Sequence, residues 1–266
     1  MRVFDQLGRK KVVLGMIHLG TMPGTPFYEE GSYEATLERA LADAQALYEG
    51  GADGCLVQTV DRVYVKEDAT DPARVAGVAN IVRAIDKATG SEFQIGVQIM
   101  RNALKASLAV AKVCNGSYLR CGALVGATLT ASGMVEANPY DVMQYRATIG
   151  ARHVKMIAEI DSMHFQWFGG KPTVEVARAA KSVGADAVSL GSPDEELTLG
   201  MIRDVRRDLP GLPVILAGYT NHANAARMLA AADGAFVGTC LERDGWGGAI
   251  DIERVREYMA IVNSLR

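Results

Sequence analysis

This chain has no CxxC pair, no apolar run long enough to cross a membrane, no basic cluster and no GxGxxG loop after its first strand-like segment. Each absence argues against a class of function. The four cysteines, Cys55, Cys114, Cys121 and Cys240, stand singly, which argues against a zinc knuckle or a disulfide framework and suits a reducing compartment. A membrane helix needs about 20 consecutive apolar residues, and none are found together. The charged start MRVFDQLGRKK leads into a short apolar run that soon reaches His18, without a secretory core or cleavage site. The expected location is the cytoplasm, with peripheral membrane association left open. The formal net charge is −3, so nucleic acid is not an expected partner. The missing GxGxxG argues against a nicotinamide or flavin enzyme.

What is present points to one large α/β domain. The 266 residues, 49% hydrophobic and 22% charged, are enough to bury a substantial core. Short apolar runs recur at Val12–Ile17, Cys55–Gln58, Gln94–Ile99, Ser117–Arg120, His153–Ile160, Ala187–Leu190, Pro213–Ala217 and Ala235–Val237, and segments of helical periodicity follow them. The phrases GGADG, VGADAV and AADGAF precede the second, sixth and eighth runs. Each reads as a helix stop and a strand entry, the mark of repeated βα units. A single (β/α)8 TIM barrel over residues 1–266 is the expectation, with a doubly wound open sheet as the alternative. Cys121–Asn138 is glycine-rich and fits no simple period.

The last two strand ends carry the most specific signal. Gly218 and Gly238 each follow a short apolar run, and Tyr219-Thr220-Asn221 precedes an alanine-rich helical segment, Ala223–Ala232. Paired glycine turns after the last two strands of such a barrel often hold a phosphate. Thr220 or Asn221 would cap the helix and leave free N–H groups pointing outward. The phosphate set is therefore Gly218, Thr220, Asn221, Gly238 and Thr239. The plainer reading is that these glycines only permit tight turns.

Several stretches resemble the BtpA/SgcQ family: GMIHLGTMPGTPFY at Gly15–Tyr28, LYEGGADGCLVQTVD at Leu47–Asp61, IGVQIMRNALKASLAVA at Ile95–Ala111, YLRCG, YRATIGA, and the closing ADGAFVGTCLERDGWGGAIDIERVREYM at Ala232–Met259. The resemblance spans nearly the whole chain. It implies a TIM barrel and either a role in photosystem I biogenesis or a metabolic role connected with sugars, without an established reaction. The chain is similar to a divergent member. Gln58-Thr59 stands where the family pattern has Glu-Asn, Arg120 is followed by Cys121-Gly122 rather than reaching an Asn, and Ala158–His164 departs from the family's strand-five pattern.

In a TIM barrel the working groups sit at the C-terminal ends of strands. His18 follows the first run and suits proton transfer near neutrality, or else bonds loop carbonyls. Glu159 and Asp161, two residues apart, would share a strand face with Lys155 and raise each other's pKa. With His18 or His164 they would also suit a divalent cation, although no metal-specific spacing is present. Arg101 and Arg120 suit a carboxylate or phosphate, or neutralise those acids. Asn102 serves substrate or caps a helix. MHFQWFGG at Met163–Gly170 reads as a lid, a stacking surface, a docking loop or local packing.

Two functions from different classes follow. One is an acid/base isomerase, lyase or hydrolase acting on a small phosphorylated metabolite, a sugar phosphate or nucleotide-like compound. His18, Glu159 and Asp161 would be catalytic, and Arg101, Asn102, Arg120 and Lys155 would bind substrate. No cofactor is marked beyond the cation option. The other is a non-catalytic assembly or biogenesis factor working through protein partners. A homo-oligomer is the default assembly in either case.

Overall fold

In the computed structural model, which describes residues 1–266, the GGADG-type phrases do more than end helices. Asp53 accepts the Val13 amide, Asp186 the Met156 amide and Asp233 the Val214 amide, at 2.8, 2.9 and 2.8 Å. Each carboxylate thus takes an N–H at the start of the strand beside its own.

The elements run β1 (Val12–Leu19), α1 (Tyr33–Glu49), β2 (Gly54–Thr59), α2 (Pro72–Ala88), β3 (Gln94–Gln98), α3 (Leu104–Val113), β4 (Tyr118–Cys121), β5 (Ala127–Thr130), β6 (Gly133–Glu136), α4 (Pro139–Thr148) and β7 (Lys155–Asp161). They continue with α5 (Thr173–Ser182), β8 (Ala187–Leu190), α6 (Glu195–Asp208), β9 (Val214–Leu216), α7 (Ala225–Ala231), β10 (Gly234–Val237) and α8 (Ile252–Asn263). Eight strands close in the order β1-β10-β9-β8-β7-β4-β3-β2, with every neighbouring pair parallel. This is a TIM barrel. No helix is long and apolar enough to cross a membrane.

Parallel barrel strands are covered on both faces, which is why they read as unbroken apolar runs. On β1, Val13, Ile17 and Leu19 pack outward against the helical shell, while Val12, Leu14 and Met16 join Leu56, Tyr118, Ile157 and Phe236 inside. Gly96 is a steric requirement of that interior, since a Cβ there would lie 2.2 Å from the Tyr118 ring. The base is closed by the N-terminal segment. Phe4 packs on Tyr118 with ring centroids 5.5 Å apart, and the buried Arg2 donates to the carbonyls of Asp86, Thr89 and Phe93. The open end is therefore the C-terminal one.

Three local readings change. The unassigned stretch after β4 contains an antiparallel β5–β6 hairpin, Ala127 pairing with Glu136 and Thr130 with Gly133. The helix after β9 begins at Ala225 rather than Ala223, because the Asn221 side chain accepts the Ala223 and Asn224 amides at 2.8 and 3.2 Å and holds them in a turn. The β7–β8 register shifts between Glu159 and Asp161, which pair with the consecutive residues Ser189 and Leu190. That bulge breaks the alternation on which a shared face for the two acids depended.

Candidate functional site

The inward positions near the ends of β2, β3, β4, β7 and β8 are all polar: Gln58, Gln98, Arg120, Glu159 and Ser189, each 5% exposed or less. The wall across from them is Met16 on β1, Ala217 just past β9 and Phe236 on β10. Above this floor opens a cavity of about 960 Å³ lined by His18, Gln58, Arg101, Arg120, His164, Tyr219 and Trp246 together with the Gly218–Asn221 and Gly238–Cys240 turns. A site with an apolar wall and a few convergent polar groups is the usual form of a small-molecule pocket.

Arg120 spans the barrel. It starts on β4, lies over the Phe236 ring of β10 at 4.7 Å and donates to Glu159 Oε1 at 2.7 Å and to the Ala217 carbonyl at 3.3 Å. Burial raises the Glu159 carboxyl, but Arg120, His164 and the Ser162 hydroxyl together more than reverse this, so its pKa lies below the ordinary value. Glu159 is thus an ion-paired carboxylate, and the mutual elevation expected of two neighbouring acids is replaced by an Arg–Glu pair. Its other oxygen, Oε2, meets no partner in the chain. Burial pushes His164 down to about 4, leaving it neutral near pH 7, and Arg101 faces its Nδ1 at 3.3 Å.

His18 stands on the opposite side of the cavity. Its Nδ1 is 3.5 Å from Glu242 Oε1, and its ring is tilted against Trp246 with centroids 5.9 Å apart. Glu242 is 2% exposed, and its Oε2 accepts the Gly247 amide at 2.8 Å. The contact is long, and His18 Nδ1 makes no hydrogen bond in the chain, so the carboxylate acts on the ring through its charge.

The glycine turns carry their open groups differently from the helix-cap expectation. Thr220 gives its hydroxyl to a 2.7 Å bond with Tyr258, Asn221 is consumed by the turn before α7, and α7 has no side-chain cap. The amides of Gly218, Tyr219, Gly238 and Thr239 have no acceptor in the chain, and all four residues line the cavity. Gly218 has φ +124°, and no atom lies within 4 Å of where its Cβ would stand.

Several expected site residues lie elsewhere. Lys155 is at the base, paired with Asp186 at 3.0 Å, so it cannot share substrate with the mouth. Asp161 accepts the Thr173 hydroxyl at 2.8 Å and lines none of the cavity. Asn102 is buried and exchanges two hydrogen bonds with the Ala123 backbone, at 3.0 and 2.8 Å, so it fixes the chain after β4 rather than capping a helix or meeting substrate. In the 163–170 loop Phe165 is buried, Trp167 packs over Gly126, Phe168 is exposed and His164 alone of the four faces the cavity. No three His, Cys, Asp or Glu side chains converge to hold a metal ion. Glu242, Gln98, Ser189 and Trp246 were not singled out by the sequence. The available signal was a polar residue at an inward parity in an otherwise apolar strand, as in QIGVQ and AVSL.

The model of the BtpA family matches residues 9–264. The chain belongs to the BtpA family. A protein of Archaeoglobus fulgidus is 31% identical over 94% of this BtpA-family chain and 98% of its own. The photosystem I biogenesis protein BtpA of Synechocystis is 26% identical over 97% of this chain and 90% of its own. Among solved structures, thiamine phosphate pyrophosphorylase from Pyrococcus furiosus superposes with a TM-score of 0.60 at 16% identity, covering 97% and 98% of the two chains. Tryptophan synthase from M. tuberculosis gives 0.62 at 19%, covering 96% and 94%. These likenesses establish a shared barrel for this BtpA-family member.

Proposed function

We propose that this BtpA-family barrel is an enzyme that moves a proton on a small phosphorylated metabolite, in an isomerase, lyase or hydrolase reaction. The observation that carries the reading is the joining, in one cavity, of two turns whose amides have no acceptor in the chain and of His18, whose Nδ1 lies 3.5 Å from Glu242 behind it. The Gly218 and Gly238 turns supply N–H donors for phosphate oxygens, and Arg101 adds charge from the β3 side of the mouth. His18 exchanges the proton through Nε2, positioned by Glu242. Glu159 and Arg120 form a fixed dipole below the reacting atoms, where a water-poor site strengthens their effect. Thiamine phosphate pyrophosphorylase and a 2-keto-3-deoxy-6-phospho-gluconate aldolase, both structural neighbours, are named for phosphorylated compounds, in keeping with this reading. The proposed setting is a cytoplasmic homo-oligomer.

The test is a thermal-shift screen with inorganic phosphate, sulfate, sugar phosphates and nucleotides, each with and without Mg²⁺, Mn²⁺ or Zn²⁺. A ligand at about 100 times its dissociation constant adds about 2.7 kcal/mol. Stabilisation by one phosphorylated compound, lost in Gly218→Val, supports the enzyme. No response to any anion sinks it.

A second reading has its own observation. Leu129, Met163 and Phe168 are apolar and 64, 65 and 54% exposed, and the β5–β6 hairpin is tied to the 163–170 loop by Thr128–Gln166 and Ala127–Phe168 hydrogen bonds. Such a rim would serve a biogenesis factor that docks a protein. A partner retained after loss of His18 and Glu159, and released by Leu129→Asp with Phe168→Asp, would favour it.

A further inference from the structure

The segment Arg243-Asp-Gly-Trp-Gly-Gly248, between β10 and α8, is pinned at both ends. The Arg243 amide donates to the Ala249 carbonyl at 2.8 Å, the Gly248 amide to the Gly245 carbonyl at 2.9 Å and the Gly247 amide to Glu242 Oε2 at 2.8 Å. Side chains tie it down as well: Arg243 donates to Asp251 at 2.8 Å, and Arg39 of α1 to the Gly248 carbonyl. Asp244, Gly245 and Gly247 all sit at positive φ, and a Cβ on Gly248 would lie 1.6 Å from the Arg243 carbonyl oxygen. The turn therefore requires its glycines, and the aromatic side chain it holds out is Trp246.

That indole is 66% exposed, in a chain with 2 tryptophans. It stands beside His18, with ring centroids 5.9 Å apart, and it lines two cavities at once. One is the main cavity with the Gly218 and Gly238 turns. The other, of about 450 Å³, is lined by Ser32, Thr36, Arg39 and Asp43 on the α1 side. Met16, His18, Val60 and Trp246 border both, so the two chambers meet at the histidine that the proposed reaction uses. The Gly238 turn adjoins the same point, since a Cβ there would lie 3.6 Å from His18 Cε1. A phosphate held by that turn thus has its next atoms beside His18 and Trp246. The face of an indole is broad and apolar and takes another flat ring by stacking, whereas a short chain covers little of it. A turn pinned in this way holds the ring in place before the ligand arrives, which lowers the cost of binding.

We infer that Trp246 is a substrate-contacting residue that stacks on a ring, and that the substrate is a phosphate ester whose skeleton includes a ring, with the far substituents of that ring in the second chamber. This rests on the phosphate reading of the rim turns. It narrows that reading by setting aside short acyclic phosphates. A sugar ring and a nucleobase share the flat face that an indole takes, and the test separates them.

The test uses a Trp167→Phe background, in which Trp246 is the only tryptophan. Inorganic phosphate, glycerol 3-phosphate, glucose 6-phosphate and adenosine monophosphate are titrated while Trp246 emission is followed. Dissociation constants are measured by calorimetry on wild type, Trp246→Ala and Trp246→Phe. A ring-bearing phosphate is expected to shift the emission and to bind at least about tenfold tighter than glycerol 3-phosphate, a difference of about 1.4 kcal/mol. Glucose 6-phosphate in that role identifies a sugar ring, and adenosine monophosphate alone identifies the base. Trp246→Ala should lose the advantage while its inorganic phosphate constant stays within about twofold, well inside that 1.4 kcal/mol. Trp246→Phe should keep most of it. Neither variant should melt below wild type, because the ring is largely exposed. An unchanged ligand order in Trp246→Ala overturns the ring contact alone. So does equal binding of glycerol 3-phosphate and the ring-bearing phosphates, with inorganic phosphate itself binding. Failure of every phosphate, inorganic included, overturns the rim reading and this one with it.

Discussion

Glu242 Oε1 lies 3.5 Å from His18 Nδ1, from a carboxylate that is itself buried and anchored by the Gly247 amide. The two residues are far apart in the sequence, one at the end of the first strand and the other beyond the last. Closing the barrel makes them neighbours. Glu242→Gln keeps the shape and removes the charge. Turnover of the substrate found by screening should fall about 10- to 100-fold, less than the 10²–10⁴ that a proton-transfer group itself contributes. KM should change little. The ¹⁵N shifts of His18 should report a changed tautomer, which a merely structural role for Glu242 would not produce.

The Arg120–Glu159 pair is buried on both sides. Removing one partner leaves an uncompensated charge, so Glu159→Gln should cost about 3–5 kcal/mol in chemical denaturation. The double variant Glu159→Gln with Arg120→Met should regain most of that stability and none of the turnover. Full activity in the double variant would remove both residues from the site.

Gly218 and Thr220 separate the two accounts of the anion site. Gly218→Ala places a side chain at φ +124°, which should cost about 1–3 kcal/mol and weaken inorganic phosphate binding. Thr220→Val strands the buried Tyr258 hydroxyl and should cost about 1–3 kcal/mol, yet leave the phosphate constant where it was. Calorimetry on both variants decides. A phosphate loss in Thr220→Val would restore the side-chain cap.

Histidine 164 makes stability depend on pH. Its folded pKa, about 4, lies below the ordinary 6.5, so between those values the unfolded chain binds the proton better. The contribution is fully present above about pH 6.5 and is lost as pH falls toward 4, by at most about 3 kcal/mol. The depressed Glu159 carboxyl acts in the same direction but at lower pH, below the ordinary carboxylate value. Urea midpoints between pH 7.5 and 4.5 should therefore fall more steeply in wild type than in His164→Asn.

The barrel was legible because its signals are local and repeated. Buried runs such as VVLGMIHL and the glycine-aspartate strand entries say where each βα unit begins. The site was legible only in part. His18, Arg101, Arg120, Gly218 and Gly238 were reachable from the rule that strand ends work. Lys155 was misplaced because face parity says nothing about which end of a strand a residue occupies. Asp161 was misplaced because a bulge is set by the neighbouring strand, and Thr220 because Tyr258 is distant in the chain. Glu242, Gln98 and Ser189 acquire meaning only from the closure that aims them at a common axis.

The aspartates Asp53, Asp186 and Asp233 each bond the first turnings of an adjoining strand. The foot of the molecule is thus written three times in the same hand, whereas the mouth uses each of its polar residues once. A change of substrate can be made by editing single letters at the mouth, with the recurring foot untouched. Relatives that keep those three acids while altering Gln58 or Arg101, which line the cavity, would be expected to share this architecture and to differ in what they accept.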